Sequence, residues 1–219
     1  MKNRTTIYHL ILDRSSSMNN CRTETIEGFN AQISTIRELQ DTYPDQEFIV
    51  SLTVFNEQVR HLISNRKVND IRKLNRTNYV PNGMTALLDA IGESIARIDE
   101  KYADQIANQQ VSVVMVILTD GYENASKRYD YHTISSLIRE KDFSDQWSFS
   151  FIGADIDAVY AARDLSIRKE NIISFSKNNM SSTIDNVNES MRDYAHKKSQ
   201  GITKKDLLDI IKNKDQRQE

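Results

Sequence analysis

Thr6-Ile7-Tyr8-His9-Leu10-Ile11-Leu12 is apolar on both side-chain parities, the pattern of a strand buried on both faces of a sheet, and it stops at Asp13. From residue 23 to 39 the pattern changes period. Ile26, Phe29, Ile33, Ile36 and Leu39 recur at three- and four-residue steps, which predicts an amphipathic helix ended by Tyr43-Pro44-Asp45. Residues 47–55 and 59–63 then read as two strands around a short turn at Asn56-Glu57, an antiparallel hairpin at a sheet edge.

Residues 87–106 return to helical spacing, with Leu87, Leu88, Ile91, Ile95, Ile98 and Tyr102 on one face. The most apolar run of the chain, 111–118, follows and should be the central parallel strand. A helix near 131–141, a strand at 147–152, a short helix after Asp157, a strand at 172–175 and a helix from 182 to about 196 complete the alternation. Strands alternating with helices predict an α/β fold, a Rossmann-like, doubly wound and mostly parallel sheet with one antiparallel edge strand and helices on both faces.

Residues 1–198 are expected to form one domain, and 199–219 a charged helical tail. In the tail, Thr203 and Asp206 are spaced as a capping box ahead of Leu207, Leu208, Ile210 and Ile211. That apolar stripe is expected to pack on the domain. No repeat or low-complexity tract interrupts the chain, and two prolines and six glycines in 219 residues leave no linker.

Charge narrows the partners. The 29 basic and 31 acidic residues give a net charge of -2, so no chain-wide field draws nucleic acid or an anionic membrane. Lys197-Lys198 and Lys204-Lys205 are basic, but acids interleave from Asp206 onward and no aromatic pattern accompanies them. Cys21 is the single cysteine, which suits a reducing compartment. The apolar stretch after the basic N-terminus is short and lacks a cleavage site, and no run approaches the ~18 apolar residues of a spanning helix. A cytoplasmic monomer is the expectation.

In open α/β sheets ligands gather beyond the carboxyl ends of the strands, which directs attention to Asp13 and Asp120. Asp13 opens Asp13-Arg14-Ser15-Ser16-Ser17, and Asp120 opens Asp120-Gly121 directly after a strand. Two carboxylates at one partly desolvated edge repel unless a cation compensates them. Ser15 and Ser17 project to the same side, and Asn82-Gly83-Met84-Thr85 brings a further hydroxyl on a turn. Asp13, Ser15, Ser17, Thr85 and Asp120 thus offer oxygen donors alone, a set for Mg²⁺, Mn²⁺ or Ca²⁺. Each could instead cap a helix, since Asp, Ser and Thr are ordinary N-caps. Asp155 and Asp157 lie at the same edge and are read as caps.

At this point the motifs resemble the metal-ion-dependent adhesion site of von Willebrand factor A-type domains, of the bacterial intracellular kind. Asp13, Ser15 and Ser17 match the family's Asp-x-Ser-x-Ser, Thr85 its loop threonine, and Thr119-Asp120-Gly121 its Thr-Asp-Gly. The likeness covers roughly residues 5–196. Ser16 and Met84 stand where glycines are frequent in the family. The resemblance implies a metal-dependent protein–protein interaction module without enzyme activity, in which a partner's Asp or Glu carboxylate completes the ion's coordination.

Two other readings compete. In one, the same domain uses the metal only for stability or conformational control. In the other, a haloacid dehalogenase-type phosphohydrolase would need a second acid at position 15, where Ser15 stands. No phosphate-binding glycine loop and no G-x-S-x-G elbow occurs. His9, His61, His132 and His196 have no zinc-type spacing.

Overall fold

The computed structural model describes residues 5–175, 179–202 and 206–208, with side chains for all of these except 155–159. In chain order the elements are β1 (Thr5–Asp13), α1 (Arg22–Thr42), β2 (Glu47–Phe55), β3 (Val59–Lys67), α2 (Leu87–Ala107), β4 (Val111–Thr119), α3 (Tyr131–Phe143), β5 (Trp147–Ala154), α4 (Asp155–Asp164), β6 (Ile172–Phe175) and α5 (Met180–Ser199). The six strands form one sheet in the order β3-β2-β1-β4-β5-β6. Every neighbouring pair is parallel except β2 and β3, so the hairpin strand is the antiparallel edge.

Two-faced burial explains the apolar runs. All nine residues of β4 are buried, because helices cover both sides of the sheet. Tyr8, Leu10 and Leu12 of β1 face the α1 and α5 side with Phe29, Ile36 and Val187. Ile7 and Ile11 face the other side, against Leu88, Ile91 and Ile95 of α2. Each such fully buried side chain contributes about 1.5–3 kcal/mol of transfer free energy. His9 shares the second face, and its Nε2 lies 2.8 Å from Thr53 Oγ1, which lies 2.9 Å from His61 Nδ1. Burial, then the charges of His61 and Arg97, push the His9 pKa down to about 3.

The structure departs from the sequence pattern in three places. β3 continues to Lys67, past the expected end at Ile63, because Arg66 and Lys67 pair with Val50 and Ile49 of β2 without any apolar alternation. Register shifts in that pairing and the left-handed Asn65 (φ 51°) mark it as bulged. The helix expected after Asp157 starts at Asp155. Residues 68–86, which carry no period, form a 3₁₀ turn and an extended segment tied to α1: Asn30 Nδ2 donates to the Leu74 carbonyl (3.0 Å), and Asn30 Oδ1 accepts from the Leu74 amide (2.8 Å).

Most of the expected tail helix lies outside the described residues. Leu207 and Leu208 are both fully buried, and the Leu208 amide donates to Asn171 Oδ1 at 3.3 Å. Among the described residues no helix is long and apolar enough to cross a membrane.

Candidate metal centre

The chain leaves β1 toward β2 on one side of the sheet and returns to β4 on the other, so the β1/β4 boundary is the topological switch point. Asp13 ends β1 there, and Asp120 follows Thr119 at the end of β4. Asp13 is fully buried, Ser15 and Thr85 are buried, Asp120 is partly exposed and Ser17 is exposed. Burial across the five residues thus rises from the exposed Ser17 to the fully buried Asp13.

Short contacts organise these residues. Asp13 Oδ1 accepts from the Ser15 amide at 2.6 Å, and Oδ2 accepts from Thr119 Oγ1 at 2.6 Å. Ser15 Oγ lies 3.1 Å from Ser17 Oγ, which donates to Asp120 Oδ1 at 2.5 Å. Thr85 is placed by a position no side chain occupies. A Cβ built on Gly121 would lie 3.2 Å from Thr85 Oγ1, 3.5 Å from Ser17 Oγ and 3.8 Å from Asp13 Oδ2. Oxygens from three loops therefore surround one point, and glycine at 121 keeps it open.

The capping alternative fails for the hydroxyls. Ser15 precedes the 3₁₀ turn Ser16–Cys21, and Ala86 precedes α2, with no side-chain cap hydrogen bond at either. Asp13 is raised to about 6, first by burial and last by the charge of Asp120, while the bonds from Thr119 and Ser15 oppose the shift. Among the described residues no three His, Cys, Asp or Glu side chains gather as a metal cluster, so an ion here depends on hydroxyl oxygens. Two carboxylates balance a divalent charge, and hydroxyls complete a hard oxygen set, so the residues fit such a cation.

Several supporting residues were not singled out from the sequence. Tyr79, fully buried, donates its hydroxyl to the backbone carbonyl of Asp13. The Ser16 amide donates to the Gly83 carbonyl (3.0 Å) and the Asn82 amide to the Arg14 carbonyl (2.8 Å), which clasps the first two loops together. Gly83, which the sequence already marked as permitting the bend, has φ +76°, a left-handed conformation that glycine adopts without the strain another side chain would bring. Lacking its own cap, the start of α2 is satisfied by the loop after Asp120. Asn124 Oδ1 accepts from the Thr85 amide (2.9 Å), Glu123 Oε2 from the Leu88 amide (2.9 Å), and Ser126 Oγ from the Asp89 amide (3.0 Å). Asp89 returns the favour, accepting from the amides of Lys127, Arg128 and Tyr129 at 2.9, 2.9 and 3.0 Å.

The sequence profile of the von Willebrand factor type A domain matches residues 9–189. The chain belongs to that family. Among curated proteins no sequence matches it. Solved structures share the fold at low identity. The SpRpn10 VWA domain aligns with TM-score 0.57 and 10% identity over 85% of this chain and 95% of that one. The vWF domain of the type V pili tip protein Mfa5 from Porphyromonas gingivalis aligns with TM-score 0.58 and 8% identity over 88% and 96%. The PilB minor pilin from Streptococcus sanguinis aligns with TM-score 0.56 and 10% identity over 87% of this chain and 62% of that one. The VWA domain spans under half of other matched chains, 46% of the ArnB paralog VWA2 from Sulfolobus acidocaldarius among them. At these identities the likeness concerns the fold, an architecture common among interaction modules.

Proposed function

We propose that this VWA domain is a metal-dependent protein-interaction module. Asp13, Ser15, Ser17, Thr85 and Asp120 would hold one Mg²⁺, a place Mn²⁺ or Ca²⁺ can also take, and a carboxylate of a partner protein would complete the site. The observation that carries this reading is the common point beside Gly121, within 3.8 Å of Thr85, Ser17 and Asp13 oxygens. A bound cation would supply a positive centre that attracts an anionic side chain. Only two of the five donors are charged, so the ion would retain the ability to attract a third carboxylate.

The surroundings favour a protein as the partner. Met84, next to Thr85 in the chain, and Tyr122, two residues after Asp120, are 54% and 57% exposed. Exposed apolar side chains beside a charged centre suit a protein interface. Ser15 stands at the position where hydrolytic chemistry of the haloacid dehalogenase type would need a second acid.

Calorimetric titration of Mg²⁺ and Mn²⁺ into the wild type and Asp13→Ala tests the ion. Capture from the source lysate in Mg²⁺ and in EDTA tests the partner. The reading expects metal uptake by the wild type alone and a partner retained only in Mg²⁺. Retention unchanged by EDTA and by Asp13→Ala would overturn it.

A further inference from the structure

A second surface lies at the β3 edge of the sheet, away from the candidate ligands. Residues 58–78 hold six basic side chains, Arg60, Arg66, Lys67, Arg72, Lys73 and Arg76, against the single acid Asp70. That is a local charge of +5 in a chain whose net charge is -2. The balanced total hides the concentration.

The same stretch builds a groove. The extended segment after the 3₁₀ turn Val68–Asp70 is held against α1 through Asn30 and Leu74, and between it and β3 opens a cavity of about 660 Å³. Leu52, Ile63, Ile71 and Leu74 give it an apolar lining, Leu62 stands 45% exposed at its side, and Arg66 and Arg72 line it together with Asp70. Both arginines are exposed and make no ion pair among the described residues. Lys67 is engaged elsewhere, with Glu47 at 3.6 Å.

We infer that this groove docks an acidic, extended segment of a partner protein, one in which Asp or Glu residues are interspersed with aliphatic ones. Guanidinium groups bind carboxylates through paired donors, and unpaired arginines beside an apolar channel match an anionic side chain and an aliphatic one in the same ligand. Other anionic classes fit less well. No aromatic side chain lines the groove, so it lacks the stacking platform by which single-stranded nucleic acid is held. Its concave form also differs from the apolar helix face that lies in a membrane interface. Register shifts interrupt the pairing of β2 with β3, and an irregular edge is a poor template for regular strand addition, so side chains supply the grip.

The test is fluorescence anisotropy with a labelled decapeptide of alternating Glu and Leu, alongside its Lys-for-Glu counterpart and a single-stranded oligonucleotide. Wild type, Asp13→Ala and the double variant Arg66→Glu/Arg72→Glu are each titrated in Mg²⁺ and in EDTA. Thermal melts establish that the double variant folds. The inference expects saturable binding of the acidic peptide, unaffected by EDTA or Asp13→Ala and weakened at least about tenfold by the double reversal. The Lys-for-Glu peptide should prefer the double variant. Absence of saturation up to about 1 mM, or equal binding by the double variant, would overturn it. Tighter binding of the oligonucleotide would reassign the groove to nucleic acid. Loss of peptide binding in EDTA alone would move the peptide to the cation edge.

Discussion

Thr119 Oγ1 donates to Asp13 Oδ2 at 2.6 Å, joining the last residues of two adjacent parallel strands through one hydroxyl. The Gly121 amide donates in turn to Thr119 Oγ1 at 3.2 Å, so the same hydroxyl also anchors the loop that carries Asp120. Thr119 is a positioning residue, fully buried behind the candidate ligands.

Thr119→Val keeps the branched shape and removes the donor. A buried carboxylate oxygen then lacks its partner, which costs about 1–3 kcal/mol of stability. Loss of a ligand's supporting hydrogen bond lowers metal affinity about 10- to 100-fold. Urea unfolding and Mn²⁺ calorimetry read the two effects separately, and Thr119→Ser should restore most of the affinity. Unchanged Mn²⁺ uptake in Thr119→Val would remove Thr119 from the site's support.

Gly121→Ala places a methyl group where the oxygens converge, 3.2 Å from Thr85 Oγ1. Nothing in the backbone at 121 requires a left-handed conformation, so the metal-free fold should melt within a few degrees of the wild type. A ligand that binds only the folded state raises the melting temperature, so the wild type should gain stability in saturating Mg²⁺. The Ala variant should gain little or none. An equal gain in both proteins would place the ion elsewhere.

The strand ends Asp13 and Asp120 were legible because two-faced apolar runs halt at them, and burial on both sides of a sheet writes itself into composition. Ser15, Ser17 and Thr85 were legible as oxygen donors on adjoining turns, although each could equally have capped a helix until the structure placed their hydroxyls. Glu123, Asn124 and Asp89 were not, because they act on backbone amides about 35–40 positions away, and such bonds leave no period in the sequence. Residues 64–67 of β3 escaped notice for a related reason. A bulged edge strand with an exposed face needs no apolar alternation. The basic groove was hidden by averaging, its positive charge cancelled over the whole chain.

Lys198 supplies a pH prediction. Its ammonium donates to Thr5 O (3.0 Å), Thr6 Oγ1 (2.6 Å) and Ser112 Oγ (2.6 Å), beneath the N-terminal ends of β1 and β4. Burial pulls its pKa down to about 7. The unfolded chain therefore binds more protons than the folded one from pH about 7 up to the ordinary lysine value, and stability contributed by this residue rises with pH across that window. Below about 7 the burial penalty is fully present; three neutral acceptors temper it to a few kcal/mol. Lys198→Met should lose this slope and exceed the wild type in stability at pH 6 relative to pH 9. Parallel slopes for the two proteins in urea titrations would show that Lys198 is charged in the fold at every pH tested.

Asp89 tests how the loop after Asp120 is held. Its two carboxylate oxygens accept from three consecutive amides, those of Lys127, Arg128 and Tyr129, on the far side of the stitching that ties Thr85 to Asn124. Asp89→Ala strands all three donors, and hydrogen bonds to a charged group contribute about 1.5–3 kcal/mol each in favourable settings, partly replaced here by water. A total loss of about 2–4 kcal/mol is expected, with faster hydrogen exchange confined at first to residues 127–129. Asp89→Asn retains one acceptor oxygen and turns an amide nitrogen toward the Lys127 N–H, so it should fall between wild type and Ala. Because Asn124 and Glu123 fix the start of α2 from the same loop, loosening it should also weaken Mn²⁺ binding although Asp89 touches none of the five candidate ligands. If exchange at 127–129 rises while Mn²⁺ affinity stays at the wild-type value, the loop is a stability element and Thr85 is positioned by α2 alone.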